Sequence, residues 1–346
     1  MPALRALQPI SRVRLSDLTV PQPRLGTMRL LLTSTLSMTG LVLAAVVTTP
    51  AAGAAQDIVG RDQDTWTWNE RVARGDWFAF YSTMGDITVT EGSGDRVEVR
   101  AEKQLRRGSA TDIGFVVLRQ RDGGVTICAI YEEENCDEDG IHGGDRNSWR
   151  RFRDRDRAGL HVTVRLPRGV KVQAASGNGD VSVSGATDEV VATSGNGKVR
   201  VNGSGGEVRA TSGNGTVNVD GAHGPVHASS GNGDITVTTS LGPVSASSGN
   251  GDVIVDMSSL GDRDDMDFSS GNGRIRLSVP ANFAASIDAS SGNGDVLSDF
   301  PITLSGRLSK SHVRGTIGNG GPHVKLVTGN GQIELRRTEG ARERER

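Results

Sequence analysis

The stretch Val190-Val191-Ala192-Thr193-Ser194-Gly195-Asn196-Gly197-Lys198-Val199-Arg200-Val201 holds the reading that decides the fold. Val190 and Ala192 stand two apart, as do Val199 and Val201. Apolar residues at period 2 mark β-strands with one buried face. The apolar positions are even-numbered before Gly-Asn-Gly and odd-numbered after it, so the chain changes phase at the tripeptide. Glycine and asparagine both tolerate positive φ, which predicts a tight corner between two strand arms.

The unit repeats. Gly-Asn-Gly begins at Gly177, Gly195, Gly213, Gly231, Gly249, Gly271, Gly292, Gly318 and Gly329. The first four intervals are 18 residues; the later ones are 22, 21, 26 and 11. Five residues before each motif stands an apolar side chain, Val172 at the first and Val313 and Val324 at the last two. Units that cannot bury their own face must stack on one another. The pattern therefore predicts an all-β fold, a β-solenoid of the parallel β-helix or β-roll kind, built of about 18-residue coils with Ser-Gly-Asn-Gly corners. The extra residues at 257–265 fall at the second corner, where stacked coils permit insertion. Stacked Asn178, Asn196, Asn214, Asn232, Asn250, Asn272 and Asn293 are expected to form a structural amide ladder.

Outward from the repeats the chain divides into five parts. Residues 1–55 read as an amino-terminal extension plus cleaved signal peptide. Within it Met28-Arg29, an apolar run from Leu30 to Val47 and an Ala-rich end at Ala54-Ala55 give the parts of a secretory signal, residues 28–55. No stable transmembrane anchor is expected after cleavage, and Met28 is the preferred start. Residues 56–166 read as irregular β: a degenerate first coil at Met84–Thr90, then a hairpin of Phe115–Leu118 and Val125–Cys128 joined through Asp122-Gly123-Gly124. This part also carries a charged disulfide loop, 132–159. Residues 167–336 hold the regular repeats, and 337–346 form a charged tail. The loop and the tail are candidate caps for the end coils, whose free edges would otherwise template further stacking.

Cys128 and Cys136 are close enough in sequence to close a loop in an oxidising compartment, and the disulfide is favoured over a metal pair because no second pair accompanies them. The formal net charge of −2 gives no nucleic-acid footprint. Gly-Asn-Gly-Asp invites comparison with calcium-binding rolls, but Lys198 and Arg274 interrupt the aspartate positions, and calcium needs six to eight oxygen ligands. The six histidines are scattered, and the outward positions Ser182, Arg200, Asn218, Thr236, Ile254 and Arg276 gather no carboxylate cluster of the kind glycoside hydrolysis uses. No catalytic, cofactor or metal residue is assigned.

Leu166-Pro167-Arg168-Gly169-Val170-Lys171-Val172 leading into Ser176-Gly177-Asn178-Gly179-Asp180-Val181 resembles the entry to the bacterial putative-adhesin domains, domain of unknown function 4097. Closer still are Ser298–Gly306, Gly315–Gly321 and Val327–Leu335. The resemblance spans roughly 80–336 and implies a single-stranded β-solenoid at or beyond the envelope, with no catalytic residue. This chain departs in its uniform use of Gly-Asn-Gly and in the charged insertion. The expected function is an exported, non-catalytic interaction module, periplasmic, cell-surface or secreted. Its partner would be an envelope polymer, a glycan or a surface protein; its oligomeric state is open. The alternatives are a self-assembling envelope scaffold and, behind it, a polysaccharide-acting enzyme.

Overall fold

The computed structural model describes residues 57–105, 110–131, 134–143, 158–259, 265–305 and 309–338. The expected signal and the segment before it, most of the charged insertion (144–157) and the tail from 339 lie outside the described residues. The described residues all fall in one compact unit.

Each coil gives one arm to a 14-stranded sheet, sheet A, and the next arm to a 12-stranded sheet, sheet B. A coil is named here by its corner asparagine. The Asn196 coil, for example, consists of Val190–Asn196 in sheet A and Val199–Ser204 in sheet B. Stacking is parallel and in register: Val172, Val190, Val208, Val226 and Val244 align in sheet A. Val181, Val199, Val217, Ile235, Val253 and Ile275 align in sheet B. These side chains are buried and fill the space between the sheets in one continuous core from Trp66 to Leu335. Burying one such side chain is worth about 1.5–3 kcal/mol. The four in a regular coil are what offset the ordering of a glycine-rich chain.

The corner obeys a different constraint from the one the sequence suggests. Gly195, Gly213, Gly231, Gly249 and Gly271 lie outside the left-handed φ region, so positive φ does not explain them. A Cβ added at Gly213 would stand 2.5 Å from the carbonyl oxygen of Gly195, and one at Gly231 2.5 Å from that of Gly213. The second glycines, such as Gly215 over Gly197, are closer still. Glycine is required because backbone stacks directly on backbone. The serine before the motif is buried as well: Ser194 Oγ donates to Gly179 O at 2.8 Å, Ser212 to Gly197 O at 2.8 Å and Ser230 to Gly215 O at 2.9 Å. Each corner is thus tied to the coil before it.

The degenerate first coil is present as Trp77–Met84 and Asp86–Glu91, paired in parallel with the two arms of the Asn178 coil. The chain then leaves the stack to build its amino-terminal end. Val97–Leu105 runs antiparallel to both Thr65–Glu70 and Ala158–Leu166. Ile113–Arg119 and Val125–Tyr131 form the antiparallel hairpin.

At the other end the coils do not stack in chain order. The Asn330 coil, His323–Asn330 with Ile333–Arg337, lies between the Asn272 coil and the Asn293 coil. His312–Ile317 then pairs antiparallel with Ala285–Asn293, and Ile302–Leu304 closes the edge. Gly318-Asn319-Gly320 is not a coil corner. Gly318 and Gly320 have φ of 59° and 77°, and the tripeptide turns the chain between strands. The ends of sheet A are therefore finished by antiparallel strands. The described part of the charged loop, 134–143, packs on a face of sheet A; the rest of the loop, 144–157, and the tail from 339, the expected caps, lie outside the described residues.

Candidate interaction surface

Sheet A presents its outer face as rows. Thr193, Thr211, Ser229, Ser247 and Ser269 stand side by side on successive coils, and Ser269 Oγ donates to Ser247 Oγ at 2.9 Å. The backbone sets their separation at about 4.8 Å, the spacing of hydrogen-bonded strands. Beside them run Val191, Arg209, His227, Ser245, Asp267 and Lys325. The charges in this second row are engaged: Arg209 reaches Glu207 at 2.5 Å and Lys325 reaches Asp267 at 3.5 Å. The hydroxyl row is uncharged and partly to fully exposed.

Along the corner edge, the side-chain amides of Asn178, Asn196, Asn214, Asn232, Asn250, Asn272, Asn330 and Asn293 are joined in that order. From Asn196 onward each Nδ2 donates to the Oδ1 of the asparagine before it in the stack, at 2.6–2.8 Å. Asn330 enters this series because its coil is inserted. Asn319 does not, because it sits in the turn. The aspartates after the motif accept backbone amides from the next coil: Asp180 Oδ1 from Lys198 N at 2.7 Å, and Asp252 Oδ1 from Arg274 N at 2.8 Å. Arg274 also donates to Asp252 Oδ2, and these bonds hold the Asp252 carboxyl below its ordinary range although burial opposes them. Their oxygens serve the stack. Among the described residues no three His, Cys, Asp or Glu side chains are grouped to hold a metal ion.

On the outer face of sheet B, Ser182, Arg200, Asn218, Thr236, Ile254 and Arg276 follow one another. The row continues to Glu334, which is 5% exposed and receives Arg276 Nε at 3.0 Å and Arg336 Nε at 3.2 Å. Burial would raise the Glu334 carboxyl; the two arginines outweigh it and hold the group low.

The amino-terminal end of sheet A carries a second apolar cluster on its outer face: Ala79, Tyr81, Val116, Cys128, Ile130 and Cys136. The Cys128–Cys136 disulfide, with Cα atoms 6.0 Å apart, pins the small hairpin Asn135–Asp137/Gly140–His142 over it. Two ionisable groups, the half-buried Glu134 and the buried Lys103, escaped the sequence reading. Glu134, whose carboxyl is pushed up by burial, accepts from Thr83 Oγ1 at 3.0 Å and from the Tyr131 amide at 3.0 Å. Lys103 occupies an inward position of Val97–Leu105 and donates to Gly60 O at 2.7 Å and Arg61 O at 3.0 Å, its ammonium lowered by burial. The only sequence signal for Lys103 is its inward place in the alternation of Val97–Leu105; Glu134, in a loop, has none. An open cleft of about 970 Å³ is lined by Val72, Pro167 and Val170 and by the Arg71–Asp95 and Arg168–Glu91 ion pairs.

The family model described as Toastrack DUF4097 matches residues 78–336. The chain belongs to the Toastrack DUF4097 family. Two solved structures are similar over most of their length. A putative adhesin from Bacteroides fragilis NCTC 9343 shares 12% identity, covering 80% of this chain and 99% of its own, with a TM-score of 0.40. A putative cell adhesion protein from Clostridium sporogenes ATCC 15579 shares 9% identity, covering 79% and 99%, with a TM-score of 0.24. No curated protein matches the chain. The Toastrack match begins at Phe78, in the degenerate first coil, and ends at Arg336, in the inserted last one.

Proposed function

We infer that this Toastrack chain is a non-catalytic binding module of an exported protein, and that the outer face of sheet A is its binding surface for an extended envelope polymer or glycan. The in-register hydroxyl row from Thr193 to Ser269 carries this reading. A backbone-fixed row at about 4.8 Å per step offers repeated hydrogen bonds to a hydroxyl-bearing chain without ordering flexible side chains first. The buried disulfide supports the compartment, since such bonds persist where conditions are oxidising. Asp180, Asp234 and Asp252 at the corners accept backbone amides of the next coil, which supports a stacking role for the motif over a calcium role.

Co-sedimentation with isolated cell envelopes and with insoluble polysaccharides tests the reading. Saturable binding that survives salt is expected, because the row is uncharged. The double substitution Thr211→Glu with Ser247→Glu, at outward positions, is expected to abolish it. Absence of binding by a soluble, folded chain overturns the proposal.

A further inference from the structure

The inserted coil near the carboxy terminus points to an interaction between copies of this chain. Val324 lies in register with Met266 on one side and Ile287 on the other; Asn330 lies between Asn272 and Asn293; Ile333 lies between Ile275 and Val296. The Asn330 coil is therefore held in a slot whose two walls are built from earlier parts of the chain. Both walls are synthesised before the coil that fills the gap.

The bonds that hold it are those of the repeat itself. Gly273 N donates to Asn330 O at 2.9 Å and Ile275 N to Gln332 O at 2.9 Å on one wall. Gly331 N donates to Asn293 O and Ile333 N to Asp295 O, both at 3.0 Å, on the other. Thr328 Oγ1 donates to Gly273 O, and Ser291 Oγ to Gly331 O, each at 2.8 Å. Val324, Leu326, Thr328, Ile333 and Leu335 are buried between the walls. None of these contacts depends on the covalent link to residues 312–317. A coil of the same sequence on another chain presents the same atoms. The link is short and rich in glycine: Gly318-Asn319-Gly320-Gly321-Pro322, with Gly318 and Gly320 in the left-handed region. Opened out, five residues span roughly 16–18 Å, and short hinges of this kind favour exchange of an element over its self-closure.

We propose that the Asn330 coil is an exchangeable element, and that two copies of this chain join by each placing residues 323–337 in the slot of the other. The exchange is reciprocal and closed. It leaves the antiparallel ends of sheet A in place and does not extend the stack. It is independent of any polymer bound to the outer face.

The test uses full-length chains carrying one added cysteine each. Ser269 and Val327 are register partners on adjacent strands, with outward side chains. A chain with Ser269→Cys is mixed with a chain with Val327→Cys, and the two are unfolded and refolded together at high concentration under mild oxidation. Exchange puts the two cysteines side by side across chains. The disulfide-linked heterodimer is expected at tenfold or more over a control mixture of Ser247→Cys and Val327→Cys, where Ser247 is one coil further away. Equal yields overturn the proposal. The double variant Ser269→Cys with Val327→Cys, refolded in dilute solution, checks that the pair can bond within one chain. Bonding there without excess heterodimer in the mixture also overturns it. Should refolding fail, co-expression of the two single variants in one cell gives the same readout with the same two outcomes.

Discussion

At the residue scale, the corner motif divides its labour among neighbours that the sequence writes as one unit. In Ser230-Gly231-Asn232-Gly233 the serine is buried and donates to Gly215 O, Gly231 clears Gly213 O, and the asparagine bonds to Asn214 on one side and Asn250 on the other. The expected order of damage follows. Gly231→Ala drives a Cβ into a backbone carbonyl that cannot rotate away, and is expected to cost on the order of 3 kcal/mol. Ser230→Ala leaves the Gly215 carbonyl one donor short inside the stack, at about 1–2 kcal/mol. Asn232→Ala removes two exposed amide bonds and should cost about 1 kcal/mol. Denaturant titration of the three variants checks the ranking, and equal losses for Gly231→Ala and Asn232→Ala would refute the close-approach account. Glu334 makes a separate prediction about acid. Its carboxyl is held below the ordinary 4.5 in the folded chain, so its contribution is complete above that value and is lost as pH falls through the lowered folded value. Stability should therefore drop on acidification below about pH 4.5, and Glu334→Gln should flatten that part of the profile while costing about 1–3 kcal/mol near neutrality. Denaturant midpoints of both proteins, measured from pH 7 to pH 3, decide this.

Among the elements, the hairpin held by Cys128–Cys136 is the piece most separable from the rest. It covers the outer face of sheet A, and its apolar contacts form a cluster distinct from the main core. Cys136→Ser is expected to release it at a cost of about 2–3 kcal/mol on the chain-entropy view of a short loop. Tyr81 and Ile130 would then be exposed, binding of a hydrophobic dye would rise, and the far-ultraviolet signal of the repeats would stay near that of the parent. Loss of the repeat signal would show that the hairpin supports the stack itself. The coil arms were legible in the sequence because a buried face writes itself as Val-x-Ala and Val-x-Val at period 2. The hairpin's seat was not legible, since Ala79 and Tyr81 face outward while the alternate Phe78 and Phe80 face inward. In Trp77–Met84 apolar residues occupy both faces, and period 2 disappears. Lys103 in its strand and Glu134 in its loop escaped for a related reason: a charged residue reads as exposed until its partners in distant segments are known.

For the whole molecule, the sequence spoke to the coils and stayed silent on their order. Every coil carries the same register marks, so Asn293 fits beside Asn272 as well as Asn330 does. The pairing of His323–Asn330 with both Met266–Asn272 and Ala285–Asn293 shows that the last coil has gone inward, which leaves the antiparallel strand His312–Ile317 on the far side of Ala285–Asn293. That strand also bears on solubility. A parallel stack ends in rows of unpaired amides and carbonyls that any similar strand could join. Antiparallel closure replaces that edge with the three-residue strand Ile302–Leu304. Thr316 pairs with Ser286 on one side and Thr303 on the other. Thr316→Pro removes an amide from the middle of this closure and strains both ladders. The variant should keep the circular dichroism of its coils, because the core from Val172 to Leu277 is untouched. It should nevertheless associate beyond a pair as concentration rises, in light scattering, where the parent is expected not to. A variant that stays at the parent's mass would mean that the twelve-stranded sheet, which ends at Val296–Ser298 with the Val296 amide already bonded to Lys310 O, is enough to stop growth alone.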